Sequence, residues 1–225
     1  MTFSIVGRCA RTGAVGVAIS SSSLAVASRC VYVRTGVGAA ATQNVTDPRL
    51  GPALLDALAD GLDAESAVAR VAQAASHAPW RQFTAVGVRG PAAVFSGAHS
   101  LGINGDFVGE GCVAAGNMLA ALDVLAACVT AFEPDLGRDL EERLVAALEA
   151  GLAAGGEAGP VHSSGLIVAR DVDWPVSDLR VDWSQTPVAD LRALWTRWNP
   201  QRDDYVTRAL TPGAAPGYGV PGDDR

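Results

Sequence analysis

The chain opens Met1-Thr2-Phe3-Ser4-Ile5-Val6, which puts a hydroxyl nucleophile directly behind the initiator methionine. Removal of Met1, which a small second residue permits, would leave Thr2 carrying a hydroxyl and a free amine on one residue. An unperturbed α-amine titrates at about 7.7–8.0, so it can act as general base for the hydroxyl beside it. Thr2, Ser4 and Val6 alternate with Phe3 and Ile5, the pattern of a strand, and Thr2 sits at its tip. Ser4 faces the same side and competes for the role. The plain alternative is a strand threonine behind a retained methionine.

Other chemistries are poorly supplied. The 17 cationic side chains are all arginine, which removes lysine as a base or Schiff-base former. A net charge of −7 without a basic run argues against nucleic acid as a partner. Cys9, Cys30, Cys112 and Cys128 form no CxxC pair, and His77, His99 and His162 lack metal-ligand spacing. We therefore expect no metal and no cofactor. His99 and His162 lie near serines, but no Gly-x-Ser-x-Gly elbow accompanies them. The start of the chain lacks a signal-peptide pattern, and no apolar stretch is long enough to span a bilayer. The expectation is a cytoplasmic protein with no membrane association.

Turn and cap signals divide the chain. Residues 2–8 and 14–20 read as a hairpin around Arg11-Thr12-Gly13, and residues 31–34 and 37–43 as two short strands around Gly36. Asp47-Pro48 signals a helix start, Gly61 its end, and Asp63 the cap of a second helix. Residues 83–89 and 92–96 form a hairpin about Gly90-Pro91. Residues 111–115 read as a strand, 118–132 as a helix and 139–154 as a helix striped with leucines. Two short strands follow at 164–170 and 178–181, then a helix over 187–198. Strands and helices thus come in segregated blocks, which suits α+β packing of two sheets between two helix layers. We expect one domain over residues 1–200 and an extended, Pro/Gly-rich tail over 201–225. Tryptophans gathered in the last third could pack the final helix or a homodimer surface.

Several motifs together resemble domain of unknown function family 1028. They are Met1-Thr2-Phe3-Ser4-Ile5-Val6, Thr35-Gly36-Val37-Gly38-Ala39 with Thr42-Gln43, and the helix start at Pro48 and Gly51. Further along they are Val108-Gly109-Glu110-Gly111, Gly116-Asn117-Met118-Leu119, the turn from Glu149-Ala150-Gly151 to Ala154-Gly155-Gly156, and Asp178-Leu179-Arg180-Val181-Asp182. The resemblance spans roughly residues 1–198 and implies kinship with the N-terminal nucleophile (Ntn) hydrolases, hence a four-layer αββα sandwich, Ntn-hydrolase-like. In that superfamily the first residue of the mature chain attacks an amide or related acyl carbon.

Carried onto this sequence, the resemblance implies Thr2 as nucleophile and base, and Arg34 as a nearby cation where relatives of the superfamily place lysine. Arginine holds its proton, so its help would be electrostatic only. Asn117, between a strand and a helix, would hold the oxyanion or clamp substrate; capping that helix is the competing role. Gln43 and Asn44, at a strand end, could orient an amide. Ser20 and Ser21, in the run to Ser23, could bind the Thr2 amine, or merely build a turn. The expected function is a cofactor-independent amidohydrolase acting on a small molecule. A non-catalytic binding or scaffold protein on the same fold remains the alternative.

Overall fold

A computed structural model of the protein describes residues 1–133 and 137–223. Two antiparallel sheets form its centre. The larger is built from β1 (Thr2–Arg8), β2 (Val15–Ser21), β7 (Gly105–Gly109), β8 (Cys112–Asn117), β9 (Ser163–Ala169) and β10 (Ser177–Val181), in the order β10-β9-β2-β1-β8-β7. The smaller is built from β3 (Val31–Arg34), β4 (Gly38–Asn44), β5 (Arg81–Gly87) and β6 (Ala93–Ser96), in chain order. A single turn, α1 (Ala27–Cys30), carries the chain from one sheet to the other.

Strand alternation sorts the side chains into layers. Phe3 and Ile5 of β1, Ala114 of β8 and Val168 of β9 face α4 (Asp123–Phe132), α5 (Leu140–Ala153) and α6 (Pro187–Trp198), where they meet Phe132, Leu144, Leu148 and Trp195. Gly7 lies on the same face, and a Cβ there would fall 2.4 Å from the Phe132 ring, so only glycine admits the helix this close. On the opposite face Val6, Val17, Ile19 and Val113 pack against Ala39, Ala41 and Val86 of the smaller sheet. The far face of that sheet, with Ala40, Phe83 and Ala85, is covered by α2 (Leu50–Ala59) and α3 (Ala64–Ala74). The order across the molecule is helix pair, sheet, sheet, helices, an α+β arrangement.

Local signals place most elements where the sequence does. The Asp63 carboxylate accepts the Ser66 N–H at 2.7 Å and caps α3. Two departures bear on the site. The helix expected from residue 118 begins only at Asp123, because Met118 has φ +50° and cannot start a right-handed helix. Asn117 is accordingly the last residue of β8 and caps nothing. Strand β7, at the edge of the larger sheet, has no counterpart in the sequence reading.

The expected extended tail is corrected as well. Residues 202–210 form a further helix, α7 (Arg202–Leu210), and the last two residues lie outside those described. Its anchor is long-range: Arg202 Nη1 sits 3.0 Å from Glu141 Oε1 of α5, with both side chains buried. Trp198 and Tyr205 stack beside the pair with ring centroids 5.0 Å apart. Removing one partner of a buried ion pair strands the other, at a cost of about 3–5 kcal/mol. We expect Arg202→Ala to lower unfolding stability by that order in denaturant titration, whereas truncation of the chain after Leu210 costs far less.

Candidate functional site

The inter-sheet layer is apolar at one end and polar at the other. Strand direction explains the gradient: β1 runs from Thr2 and Ser4 toward Val6, while β2, β4 and β8 run the opposite way, toward Ser21, Gln43-Asn44 and Asn117. Register then aligns the polar ends. Asn117 pairs with Thr2 across β8 and β1, and Ser163 pairs with Ser21 across β9 and β2. Since Phe3 pairs with Ser20, the next residues, Thr2 and Ser21, are opposite, and their hydroxyl oxygens are 3.3 Å apart. Asn117, Thr2, Ser21 and Ser163 therefore form one buried row across four strands.

Below this row three amides lock the sheets together. Gln82 Nε2 donates to the carbonyls of Gly116 at 3.1 Å and Gly105 at 3.3 Å, and to Ser96 Oγ at 3.0 Å. Carbonyls only accept, so the orientation of the Gln82 amide is fixed. Its Oε1 consequently faces the other amides, and accepts from Gln43 Nε2 at 2.9 Å and Asn117 Nδ2 at 3.2 Å. Gln43 Oε1 in turn accepts the Ser4 hydroxyl at 2.7 Å. Asn117 Nδ2 thereby spends one of its two N–H groups on Gln82, and its buried Oδ1 is an acceptor without a hydrogen-bond partner.

The donors come from the other side. Ser21 Oγ donates to the Met1 carbonyl at 2.5 Å, and the Thr2 hydroxyl donates to the same oxygen. Ser23 Oγ lies 2.8 Å from Ser21 Oγ, and Arg29 Nη2 donates to Ser23 Oγ at 2.8 Å. Arg29 also holds the carbonyls of Leu24 and Ala25, which ties the loop after β2 to α1. A guanidinium thus reaches the row through two hydroxyls.

Glu157 is the residue that sequence reasoning missed. It is 4% exposed, bridges to Leu119 just past β8, and both carboxylate oxygens accept the Ser22 N–H, at 3.1 and 3.2 Å. Among the described residues no side-chain cation forms an ion pair with it. Burial pushes its pKa up to about 7, opposed by the positive amino terminus of Met1 and by the Ser22 hydrogen bonds. The signal in the sequence was slight: a lone glutamate in a glycine-rich turn, recognisable only once the turn lies beside the chain's first residue.

The remaining expected site residues are dispersed. Ser20 points to the helix side with Phe3, and its hydroxyl donates to the Ser163 carbonyl at 3.2 Å. Asn44 braces loops, with Nδ2 to the Trp80 carbonyl at 2.6 Å and Oδ1 accepting the Leu101 N–H at 3.2 Å. Arg34 pairs with Gly38, at the far end of β4 from Gln43, about 16 Å away at the usual strand rise. There it bonds Asp56 of α2 at 2.8 Å, so it supplies no charge at Thr2. A surface cavity of about 400 Å³ lies on the outer helix pair between Arg49, Asp56 and Arg70, one sheet away from Thr2.

Residues 2–191 match the family described as a family of unknown function, DUF1028. Among solved structures, the crystal structure of protein SPO2555 from Silicibacter pomeroyi, a protein of that family, superposes with a TM-score of 0.81 and 31% identity, over 88% of this chain and 89% of that one. None of the curated proteins matches. Among the described residues no helix is long and apolar enough to cross a membrane.

The raised Glu157 pKa fixes a sign for stability. A carboxyl whose folded pKa lies above its unfolded value of about 4.3 stabilises the fold while protonated, and that contribution is lost as pH rises through the folded value. Thermal unfolding from pH 5 to 7.5 should show the wild type losing stability relative to Glu157→Gln across this window. Parallel curves would place the carboxyl in a solvated setting.

Proposed function

The chain belongs to the DUF1028 family of unknown function, and from that premise we propose that it is an N-terminal nucleophile hydrolase cleaving a C–N bond of a small molecule. The observation that carries this reading is the position of Thr2: the first strand residue, central in the larger sheet, buried, with its hydroxyl beside Ser21 and its neighbour Asn117 opposite. The order helix pair, sheet, sheet, helices supports the same kinship. So do the uncharged side chains flanking Thr2, which favour a neutral amine more than a carboxylate in contact would.

On this reading Met1 is removed first. The Thr2 amine then takes the proton of Oγ1 as that oxygen attacks the amide carbon, and passes it to the leaving nitrogen when the C–N bond breaks. Water hydrolyses the resulting ester and regenerates Thr2. Ser21 Oγ–H, already aimed at a carbonyl oxygen, is the side-chain donor suited to the developing oxyanion. Gln43 and Ser4 hold the floor of the site through Gln82, and the reading uses no metal or organic cofactor. We place the enzyme in the cytoplasm, and a homodimer remains part of the proposal.

One observation favours a non-catalytic binding protein on this fold: Arg34 is tied to Asp56, which leaves Thr2 without a contacting cation. Intact mass followed by an amidase screen separates the two. Protein lacking Met1 should turn over an amide, and Thr2→Ala should reduce that turnover by at least about 10³-fold with an unchanged melting temperature. Turnover that survives Thr2→Ala would sink the nucleophile, and tight binding without any turnover would favour the binding protein.

A further inference from the structure

Met1 is held at the site as a ligand would be. Its carbonyl oxygen accepts from Ser21 Oγ at 2.5 Å and from the Thr2 hydroxyl. Its amine lies near enough to Glu157 to be felt electrostatically but forms no ion pair with it, and that carboxylate is held by the N–H of Ser22, next to Ser21. Its thioether lies over Gly159, where a Cβ would come within 3.2 Å of the Met1 Cε and 3.8 Å of its Sδ. The carbonyl thus has donors, the side chain has a space over Gly159, and the ammonium has Glu157 as its neighbouring carboxylate without a direct contact.

This arrangement has a chemical meaning. Met1 is an α-aminoacyl group carried on the nitrogen of Thr2. An acyl-enzyme formed from an aminoacyl substrate would carry the same group on Oγ1 of the same residue. The two are positional isomers, N-acyl and O-acyl, with attachment points on adjacent carbons. Groups that surround the acyl part of the first are therefore those available to the second. Loss of Met1 would leave Ser21 Oγ–H without its acceptor, Glu157 without its cation, and the space over Gly159 empty.

We infer that Met1 occupies the acyl subsite, and that the substrate is an amide whose acyl part is an α-amino acid with a free ammonium group. Glu157 receives the ammonium, Ser21 the carbonyl oxygen, and Gly159 leaves room for an unbranched apolar side chain. The inference rests on the Thr2 reading proposed above. The burial of Glu157 is consistent with it: a buried carboxyl without a side-chain ion pair is either neutralised by a proton or charged beside a bound cation, and a ligand ammonium would supply that cation. In the reaction the ester forms between the aminoacyl carbon and Thr2 Oγ1, the amine leaves with the hydroxyl proton, and water releases the free amino acid.

Binding tests this apart from turnover. The probe is L-methioninamide, against N-acetyl-L-methioninamide, by calorimetry on Thr2→Ala protein whose loss of Met1 is confirmed by intact mass. That protein cannot use a threonine nucleophile, so the result stands whether or not the hydrolase reading does. We expect the free amine to bind at least tenfold more tightly than the acetylated one, and the preference to vanish in Thr2→Ala/Glu157→Gln. A second measurement covers misfolding of that variant: Thr2→Ala protein that retains Met1 should bind neither amide, its site being filled. Equal affinity for the two amides, binding of neither, or full binding with Met1 retained would each overturn the inference.

Discussion

The arrangement depends on one buried amide. Gln82 makes five hydrogen bonds: three cross to the larger sheet, to the Gly105 and Gly116 carbonyls and the Asn117 amide, and two tie it to Gln43 and Ser96 on the neighbouring strands of its own sheet. Desolvated amides are costly when unmatched, so each bond constrains the position of its partner. The apolar end of the layer is different: Val6, Val17 and Val113 fill space but impose no direction. The sheets are thus held by volume at one end and by geometry at the other, and the geometric end is where β1 begins.

That geometry determines which polarity each wall offers. Because Gly105 and Gly116 fix the Gln82 amide, Gln82 fixes the orientation of the Asn117 amide and leaves its buried oxygen without a partner. Glu157 adds a second acceptor beyond the strand ends. The donor wall is supplied by Ser21, polarised through Ser23 by Arg29. Arg29 reaches this far because α1 is a single turn that brings the chain from one sheet directly to the other. Arg34, one strand later, is carried to the opposite end of the smaller sheet.

The sequence was legible wherever the determinants were local. Period-two alternation identified β1, and a cap located α3. Thr2, Ser4, Ser21, Gln43 and Asn117 converge because all are strand-end residues on one face, and parity could be counted along each strand. The same parity separates Ser20 from Ser21, a distinction the sequence reading does not draw, since it keeps both as candidates. What escaped was non-local. Strand β7 reads Gly-Asp-Phe-Val-Gly and is mostly exposed, so it carries neither burial nor alternation. Helix α7 is secured by Arg202 to Glu141, far apart in the chain. Glu157 acquires its setting only from the chain's opposite end.

Backbone conformation singles out the same end. Ala25, Asn44, His77 and Met118 are the non-glycine residues with positive φ among those described, at +50°, +71°, +61° and +50°. Ala25 follows β2, Asn44 closes β4, His77 precedes β5 and Met118 follows β8. Each therefore lies at the strand termini around Gln82 and Thr2. Asparagine tolerates this region, but alanine and methionine pay about 1–2 kcal/mol there. The cost persists because neighbours over-determine these residues: Met118 N–H donates to the Leu101 carbonyl and its own carbonyl accepts from Ala158, each at 2.9 Å, while Ala25 N–H donates to Asp182. Straight strands continued past Asn117 and Ser21 would carry the chain away from Thr2. The left-handed turns instead fold it back, and by doing so bring Glu157, Gly159 and Ser23 against the first residue. Strain at this end accompanies the tight turns that fold the chain back around the start of β1.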